Sequence, residues 1–335
     1  MATPSGATSI SDLIIPSVFA NYYQQRSLEK SAVLTSGIAQ SDPQLVAFAS
    51  GPGQVFNLPF FSSLTSSDEV LQEGVNLGIN NITTDQEVAV VLNRAKAWGA
   101  SYMSRVTSGE DIMSRIGNMV GDWWARRHQA VLMSVLKAMF TSDTTVSAGG
   151  NAGVLRATHA VDNSGSPFDP SMIIDCMGKL GDNSDQLTAM VMHSAIYHSL
   201  TKADMIDYLR DSETNAQHAT YLGKRVIIDD ACTSEQGANV FRTYIFSSGA
   251  IQFGMGNIPP ADAVETDRNS LGSEDIMITR QRLMFHPRGF RWQGGVNPAN
   301  NDASVISNSL DNQDNWVKVV DDKQIGMVAL ETQAA

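Results

Sequence analysis

An α+β fold is predicted by three features of this sequence. An apolar stripe at helical spacing runs from Thr107 to about Phe140, short strand-like segments flank it on both sides, and the chain between Lys30 and Arg94 carries no lysine or arginine. The stripe demands a long rigid helix, and the flanking segments demand sheets for it to pack on. The stretch without basic residues reads as an extended, acid-containing arm that reaches over a neighbour. At 335 residues and 42% hydrophobic content the chain can bury a substantial core, in one large subdivided domain or two.

Charge and cysteine content exclude several classes. A formal net charge of −12 opposes broad attraction to phosphate backbones, because nucleic-acid binders release counterions with clustered Lys and Arg. Tight DNA binding is therefore not expected. Cys176 (IIDCMG) and Cys232 (DDACTS) sit in apolar settings and cannot supply a disulfide framework, which fits a reducing cytosol. The N-terminus has no Lys or Arg before Arg26 and only a short apolar patch at Leu13 to Ile15, unlike a signal peptide. No apolar run reaches the roughly 18 residues needed to span a bilayer, so no membrane association is expected and the cytoplasm is the expected site of synthesis and use.

The elements follow in order. Residues 1–15 are rich in Ser, Thr, Ala and Gly and bury little area by themselves. Val18, Phe19, Tyr22 and Tyr23 recur at helical spacing behind Pro16, and Leu28 to Ile38 offers a second short helix. Gly51 to Phe61 (GPGQVFNLPFF) reads as a strand entered by a Gly-Pro turn, and Glu87 to Trp98 as its returning partner in a long hairpin. The polar segment between them is too poor in large side chains to build a core and must project or rest on another subunit.

At Thr107 the run T-S-G-E has the capping-box pattern, and the helix it opens would be a rod of roughly 50 Å at 1.5 Å per residue. Ser147 to Val154 is a Gly-rich break, and Pro170 to Leu180 a helix after the Asp169-Pro170 turn. Leu187 to Met192, Arg225 to Ile228 and Phe241 to Phe246 read as strands of a mixed unit, with a helix from about Ala195 to Leu209. Asp275 to Phe285 is a further strand. Trp316 to Val320 and Ile325 to Leu330 form a hairpin candidate across Asp321-Asp322.

Catalytic and cofactor signals are weak. His193 and His198 are five residues apart and face different ways across a strand-to-helix change, and His128 among Arg126, Arg127 and Gln129 reads as a solvated or interfacial helix face, so no metal site is expected. No nucleophile elbow, Walker loop or dinucleotide fingerprint occurs, and Gly254-Met255-Gly256 lacks a third glycine and reads as a turn. Asp229-Asp230 at a strand end reads as local hydrogen bonding. No catalytic or cofactor-binding residue is assigned. Trp123 and Trp124 point about 100° apart on one helix, so one indole can enter the core while the other meets another element or subunit.

The ordered series of segments resembles the major capsid proteins of tailed bacteriophages, with the fold named for phage HK-ninety-seven. Ile14 to Ile38 is similar to that family's N-terminal arm, and GQVFNLPFF with the return through NRAKAWGASY (Asn93 to Tyr102) to its extended loop. Gly109 to Phe140 is similar to the long helix of its peripheral domain, Ile278 to Trp292 to the strand returning there, and Asn315 to Thr332 to its C-terminal ending. The resemblance implies an N-terminal arm (1–50), an extended loop (51–104), a peripheral domain with the long helix (105–150), an axial domain (151–270), and a return to the peripheral domain with a C-terminal tail (271–335).

The implied function is that of a coat protein, not an enzyme. It would assemble with itself through pentamers and hexamers into an icosahedral shell that encloses double-stranded DNA without tight binding. The virion is its expected location, after assembly in the bacterial host cytoplasm. Some family members join subunits covalently through a loop lysine, and no lysine lies between positions 53 and 93 here, so non-covalent burial or a separate cement or decoration protein is expected. The arm begins almost at Met1, which implies a separate scaffolding protein; a portal is the remaining expected partner.

Candidate inter-subunit contacts are Phe60 and Phe61 on the loop strand, Trp123 and Trp124 on the helix, and Arg126 and Arg127 as partners for Asp68, Glu69 and Glu73. Two alternatives stand beside this reading. One is an encapsulin-like nanocompartment shell protein. The other is a soluble α/β enzyme with Asp229, Asp230 and His193 as its site.

Overall fold

The computed structural model describes residues 7–8, 39–61, 67–70, 76–77, 79, 81–82, 84–109, 112–141, 153–210, 217–237, 239–294 and 310–334. Strands β1 (Ala7–Thr8) and β2 (Ala39–Ser41) precede helix α1 (Pro43–Ser50), whose first turn is closed by Asp42: its carboxylate accepts from the Gln44 amide at 2.8 Å, and Pro43 supplies a preset φ. Next come β3 (Val55–Phe61), β4 (Thr84–Val90) and β5 (Leu92–Ser101), then α2 (Tyr102–Ser108) and the long α3 (Ile112–Phe140).

Past residue 153 the chain forms α4 (Arg156–His159), β6 (Ala160–Pro167), α5 (Pro170–Gly178), β7 (Leu187–Met192) and α6 (Ser194–Lys202). It continues through β8 (Asp207–Arg210), β9 (Gln217–Tyr221), β10 (Lys224–Ile228), β11 (Val240–Ser247), β12 (Ile251–Met255) and α7 (Pro260–Ala263). The last strands are β13 (Val264–Asn269), β14 (Glu274–Pro287), β15 (Phe290–Trp292), β16 (Trp316–Lys318) and β17 (Met327–Gln333).

Three sheets result. One runs β1-β5-β14-β12-β2 with β13 also on β14, a second runs β6-β17-β11-β7-β10-β9-β8, and a third β16-β15-β4-β3. The second explains why its strands read as unbroken apolar runs. Along β7, β11 and β17 the side chains alternate between two cores. Ala189, Val191, Tyr244, Phe246, Met327 and Ala329 face the core that contains the C-terminal half of α3, while Met190, Met192, Ile245, Val328 and Leu330 face the one built with α5 and α6. A sheet covered on both faces has no polar side, so period-two alternation disappears. Helix α3 then spans two sheets. Its residues Val131 to Phe140 join the core that also holds residues of β7, β11 and β17, with Phe140 against Tyr244, and its earlier turns lie along β14, where the Trp124 indole donates to Thr279 Oγ1 at 3.1 Å.

Several sequence expectations need correction. The returning partner of β3 is shorter than the stretch from Glu87 to Trp98: β4 ends at Val90 and β5 leaves to pair with β14 in another sheet. Val88 through Leu92 are all buried at that crossing, so the alternation that suggested one strand is lost there. Thr107 does not cap the long helix. It lies in the last turn of α2, capped by Ser101 and ended by Gly109 in the left-handed region (φ 69°), and α3 starts at Ile112 with a length of roughly 44 Å.

The helix expected to reach Leu209 stops at Lys202, where the chain turns through Asp204 at φ 53° into β8. The C-terminal hairpin does not form: β16 pairs with β15 in the third sheet, and β17 inserts between β11 and β6 in the second. The segment carrying the resemblance at the C-terminus thus ends in the second sheet. The helical segments expected before Ile38 lie outside the described residues.

Gly254 and Gly256 are not turn residues. Gly254 is inside β12 and Gly256 follows it, and α1 rests directly on both: a Cβ at Gly254 would lie 2.7 Å from the Leu45 backbone, and one at Gly256 2.3 Å from the Ala49 carbonyl oxygen. Only glycine lets this helix approach so closely. Gly254→Ala is expected to cost about 1–3 kcal/mol as α1 is forced off the sheet. Urea titration of the purified protein checks it, and a midpoint equal to that of the parent would contradict the close-packing account.

Candidate assembly surfaces

The β3/β4 hairpin is anchored firmly at its root. The two carboxylate oxygens of Glu87 on β4 are held from the β14–β15 corner, one by His286 Nε2 at 2.9 Å and the other by the Gly289 amide at 3.0 Å. Phe56 stacks on Phe48 of α1 with ring centroids 4.8 Å apart. Toward its tip the segment loses this cover. Phe60 is half-buried, Phe61 is 76% exposed, and beyond them Val70 (83%) and Ile79 (93%) stand almost wholly in solvent, with Leu77 and Ile82 also exposed. Asp68 and Glu69 are exposed beside Val70; Glu73 lies outside the described residues.

The long helix carries the second group. The structure separates the two tryptophans: Trp124 is buried, and its N–H donates to Thr279 within the same chain. Trp123 is only half-buried and forms edge contacts with Trp98 (5.1 Å) and Trp124 (4.9 Å). Arg126 is half-buried and Arg127 exposed. Arg127 and His128 open onto a cleft of about 250 Å³ whose other walls are Arg94 and Ala95 of β5, Trp123, Trp124, Val131 and Leu283. Burial, then the Arg127 charge, lowers the affinity of the Arg94 guanidinium for its proton.

Sequence reasoning missed Arg94 as part of this surface. Its only signal was its place at the end of the stretch without basic residues, and the pairing of β5 with β14 that brings it to the helix is long-range.

At the far end of the same helix lies a buried polar network. Glu331 on β17 accepts from Arg242 Nε (2.7 Å), Arg156 Nη1 (2.9 Å) and Ser234 Oγ (3.1 Å), and Arg242 Nη2 also bonds it. Arg242 further donates to Glu235 (2.8 Å), which faces Lys137 of α3 at 3.6 Å, and Arg156 donates to Asp162 (2.5 Å). Burial raises the Glu235 carboxyl's proton affinity, but Arg242 and Lys137 outweigh it and leave the net shift downward. Every charge here has its opposite, which is the signature of structural cross-bracing.

The residues of the enzyme alternative are accounted for in the same way. His193 caps α6 by accepting from the Ala195 amide at 3.0 Å, Asp230 accepts from the Ser194 amide at 3.2 Å, and Asp229 accepts from Gln129 of α3 and from the Ala231 amide. The Asp230 carboxyl is held below its usual range chiefly by its hydrogen bonds to Ser194. Among the described residues no His, Cys, Asp and Glu side chains gather as a metal site, and no helix is long and apolar enough to cross a membrane.

Two histidines make the fold acid-sensitive. His128 bonds Gln281 of β14 at 2.6 Å, and His159 bonds the Asp322 carbonyl at 2.9 Å; burial pulls both below the ordinary histidine range despite those bonds. Their contribution is complete above the unfolded value of about 6.5 and is lost as pH falls toward the lowered folded values, because the unfolded chain then binds protons that the fold refuses. The urea midpoint is expected to drop between pH 7 and 5.5, and His159→Gln to flatten that slope. A slope unchanged in His159→Gln would remove this histidine from the account.

Comparison with known proteins places these surfaces in context. A family model described as Gp13-like, major capsid protein 13-like, matches residues 96–328. The major capsid protein of Bacillus phage SPP1 is 34% identical over 333 residues, covering 96% of this chain and 97% of that one. The capsid of Ralstonia phage GP4 superposes with a TM-score of 0.59 at 10% identity, over 89% of this chain and 87% of that one. The cyanophage Pam1 capsid does so with a TM-score of 0.57 at 11% identity, over 89% and 88%. The likeness to these two structures is one of fold, and that fold is HK-ninety-seven-like.

Proposed function

The chain belongs to the Gp13-like family of phage major capsid proteins and is a structural subunit of the virion shell, and from that premise we propose how its copies are held together. The N-terminal arm (1–50) and the extended loop (51–104) grip neighbouring subunits, while the long helix and the axial region (151–270) form the body that they grip. Subunits gather as pentamers and hexamers in an icosahedral shell around double-stranded DNA, assembled in the host cytoplasm. A separate scaffolding protein and a portal complete the assembly, and a cement protein can add strength because the loop offers no lysine for a covalent link.

The observation that carries this reading is the row of exposed aliphatic side chains, Val70, Leu77, Ile79 and Ile82, on a loop with little cover of its own. Burying one such side chain against a neighbour contributes roughly 1.5–3 kcal/mol. An exposed ion pair contributes only ~0–1 kcal/mol. The aliphatic set therefore supplies most of the adhesion, and the pairs that Arg126 and Arg127 form with Asp68, Glu69 and Glu73 supply register, repeated in every subunit of a closed lattice.

Charge reversal at both positions, Arg126→Glu with Arg127→Glu, is expected to reduce particle yield sharply while leaving the far-ultraviolet circular dichroism of the subunit intact. Normal particle yield from this double variant would refute the register role. DNA inside purified particles distinguishes a genome container from an enzyme-holding compartment.

A further inference from the structure

We infer that a second cleft, at the joint of the three sheets, is a binding site for a tetrahedral oxyanion of the phosphate class. Three links that carry the chain from one sheet to another form its walls. Residues 248–250 lead from β11 to β12, Arg288 lies between β14 and β15, and Gln324 and Gly326 lie between β16 and β17. The links are bonded to one another, the Ser247 amide to the Gly326 carbonyl at 2.8 Å and the Arg288 amide to the Ala250 carbonyl at 3.1 Å. The space they enclose, about 180 Å³, is therefore a cradle set by the fold.

The cleft is rich in donors and has no acid among its described lining. Arg288 is exposed, and among the described residues no group accepts from its guanidinium, in a chain with 35 acidic residues against 23 basic ones. Beside it the Ser247 hydroxyl and the Ser248 and Gly249 amides also bond no other described group. Their turn passes Gly249 in the left-handed region (φ 71°) and is closed by the Ala250 amide on the Ser247 carbonyl at 3.3 Å. Donors without an acceptor are complemented by an oxyanion. The guanidinium fork matches two phosphate oxygens, which leaves the hydroxyl and the loop amides for the others. The net charge of −12 opposes any anion at long range, but at 0.1 M salt charges beyond about 10 Å are screened, so the local donors decide. An oxyanion seated here holds three links at once and stiffens the joint between the sheets.

The test titrates the purified full chain with inorganic phosphate at constant ionic strength, balanced with chloride, and reads the phosphorus-31 linewidth. Saturable binding with a dissociation constant on the order of 1 mM is expected. Arg288→Gln is expected to weaken it at least about tenfold, with an unchanged urea midpoint in chloride because the side chain is exposed. Lys202→Gln removes the same charge from an exposed position at the end of α6 and is expected to leave binding unaltered. Equal weakening by both variants would reveal diffuse attraction. That result, an absence of saturation, or saturable binding that survives Arg288→Gln would each overturn the inference.

Amide hydrogen exchange locates the effect. Phosphate is expected to slow exchange in peptides covering residues 247–250 and 324–327 and not in β8 or β9. Slowing spread evenly along the chain would be the general action of an excluded salt and would count against the site. A short oligothymidylate separates the two sources of this chemistry. Displacement of phosphate by it assigns the site to a nucleic-acid backbone, and no displacement assigns it to the free ion; either result supports a phosphate site once Arg288 dependence is seen.

Discussion

Replacing Glu331 by methionine is expected to cost the subunit about 3–5 kcal/mol, the penalty for stripping one partner from a buried ion pair. Glu331 and Arg242 are each 1% exposed and sit directly opposite one another on β17 and β11. Around them the network balances three cations, Arg242, Arg156 and Lys137, against three carboxylates, Glu331, Glu235 and Asp162. Without Glu331, two guanidinium groups keep one carboxylate each, and the buried one cannot reach solvent. The cost exceeds that of a lost methylene because the charge left behind has been taken out of water.

The consequence extends past one sheet. Lys137 and the Phe140 carbonyl tie the end of the long helix into the network, so the element that spans two sheets is fixed at this point. Urea titration of the purified protein measures the loss, with Asp182→Asn, which removes an exposed pair with Lys323, as a control expected to leave the midpoint unmoved. A Glu331→Met variant within 1 kcal/mol of the parent would show that the network contributes little beyond its own desolvation cost.

Local signals carried the sequence reading a long way. The apolar stripe gave the body of α3, Asp169-Pro170 marked the start of α5, and unbroken apolar runs marked β7, β10 and β11. The same Asp-Pro signal at Asp42-Pro43 opens α1 and was legible but not used. What stayed hidden depends on contacts distant in sequence. Nothing local says that β4 and β5 part into different sheets, that glycines 254 and 256 are small because a helix lies on them, or that Trp124 finds its hydrogen-bond partner 155 residues away. On the candidate surfaces, residue types alone pointed to Arg127, Trp123 and the acidic loop. Arg94 became visible only when the β5–β14 register set it beside the helix.

The misread C-terminus leads to the other large effect. Deleting the chain from Met327 onward is expected to abolish soluble subunit altogether. Trp316 to Leu330 resembles a hairpin because two strand-like runs flank Asp321-Asp322, yet β17 passes the turn and enters the middle of the second sheet, antiparallel to β11 and parallel to β6. Six of its seven residues are buried. Met327, Val328 and Leu330 each contribute roughly 1.5–3 kcal/mol by burial, a sum comparable with the whole stability of a typical domain at about 5–15 kcal/mol.

The deletion also leaves the edges of β11 and β6 without partners, and unpaired edges template aggregation. Leu330→Asp separates the two causes, since it keeps the strand's backbone but places an unpaired carboxylate in the core shared with α5 and α6. If burial dominates, this single change also sends the protein to the insoluble fraction. If edge pairing dominates, Leu330→Asp remains soluble with a lowered urea midpoint. A soluble, strand-rich protein from the deletion itself would overturn the central placement of β17.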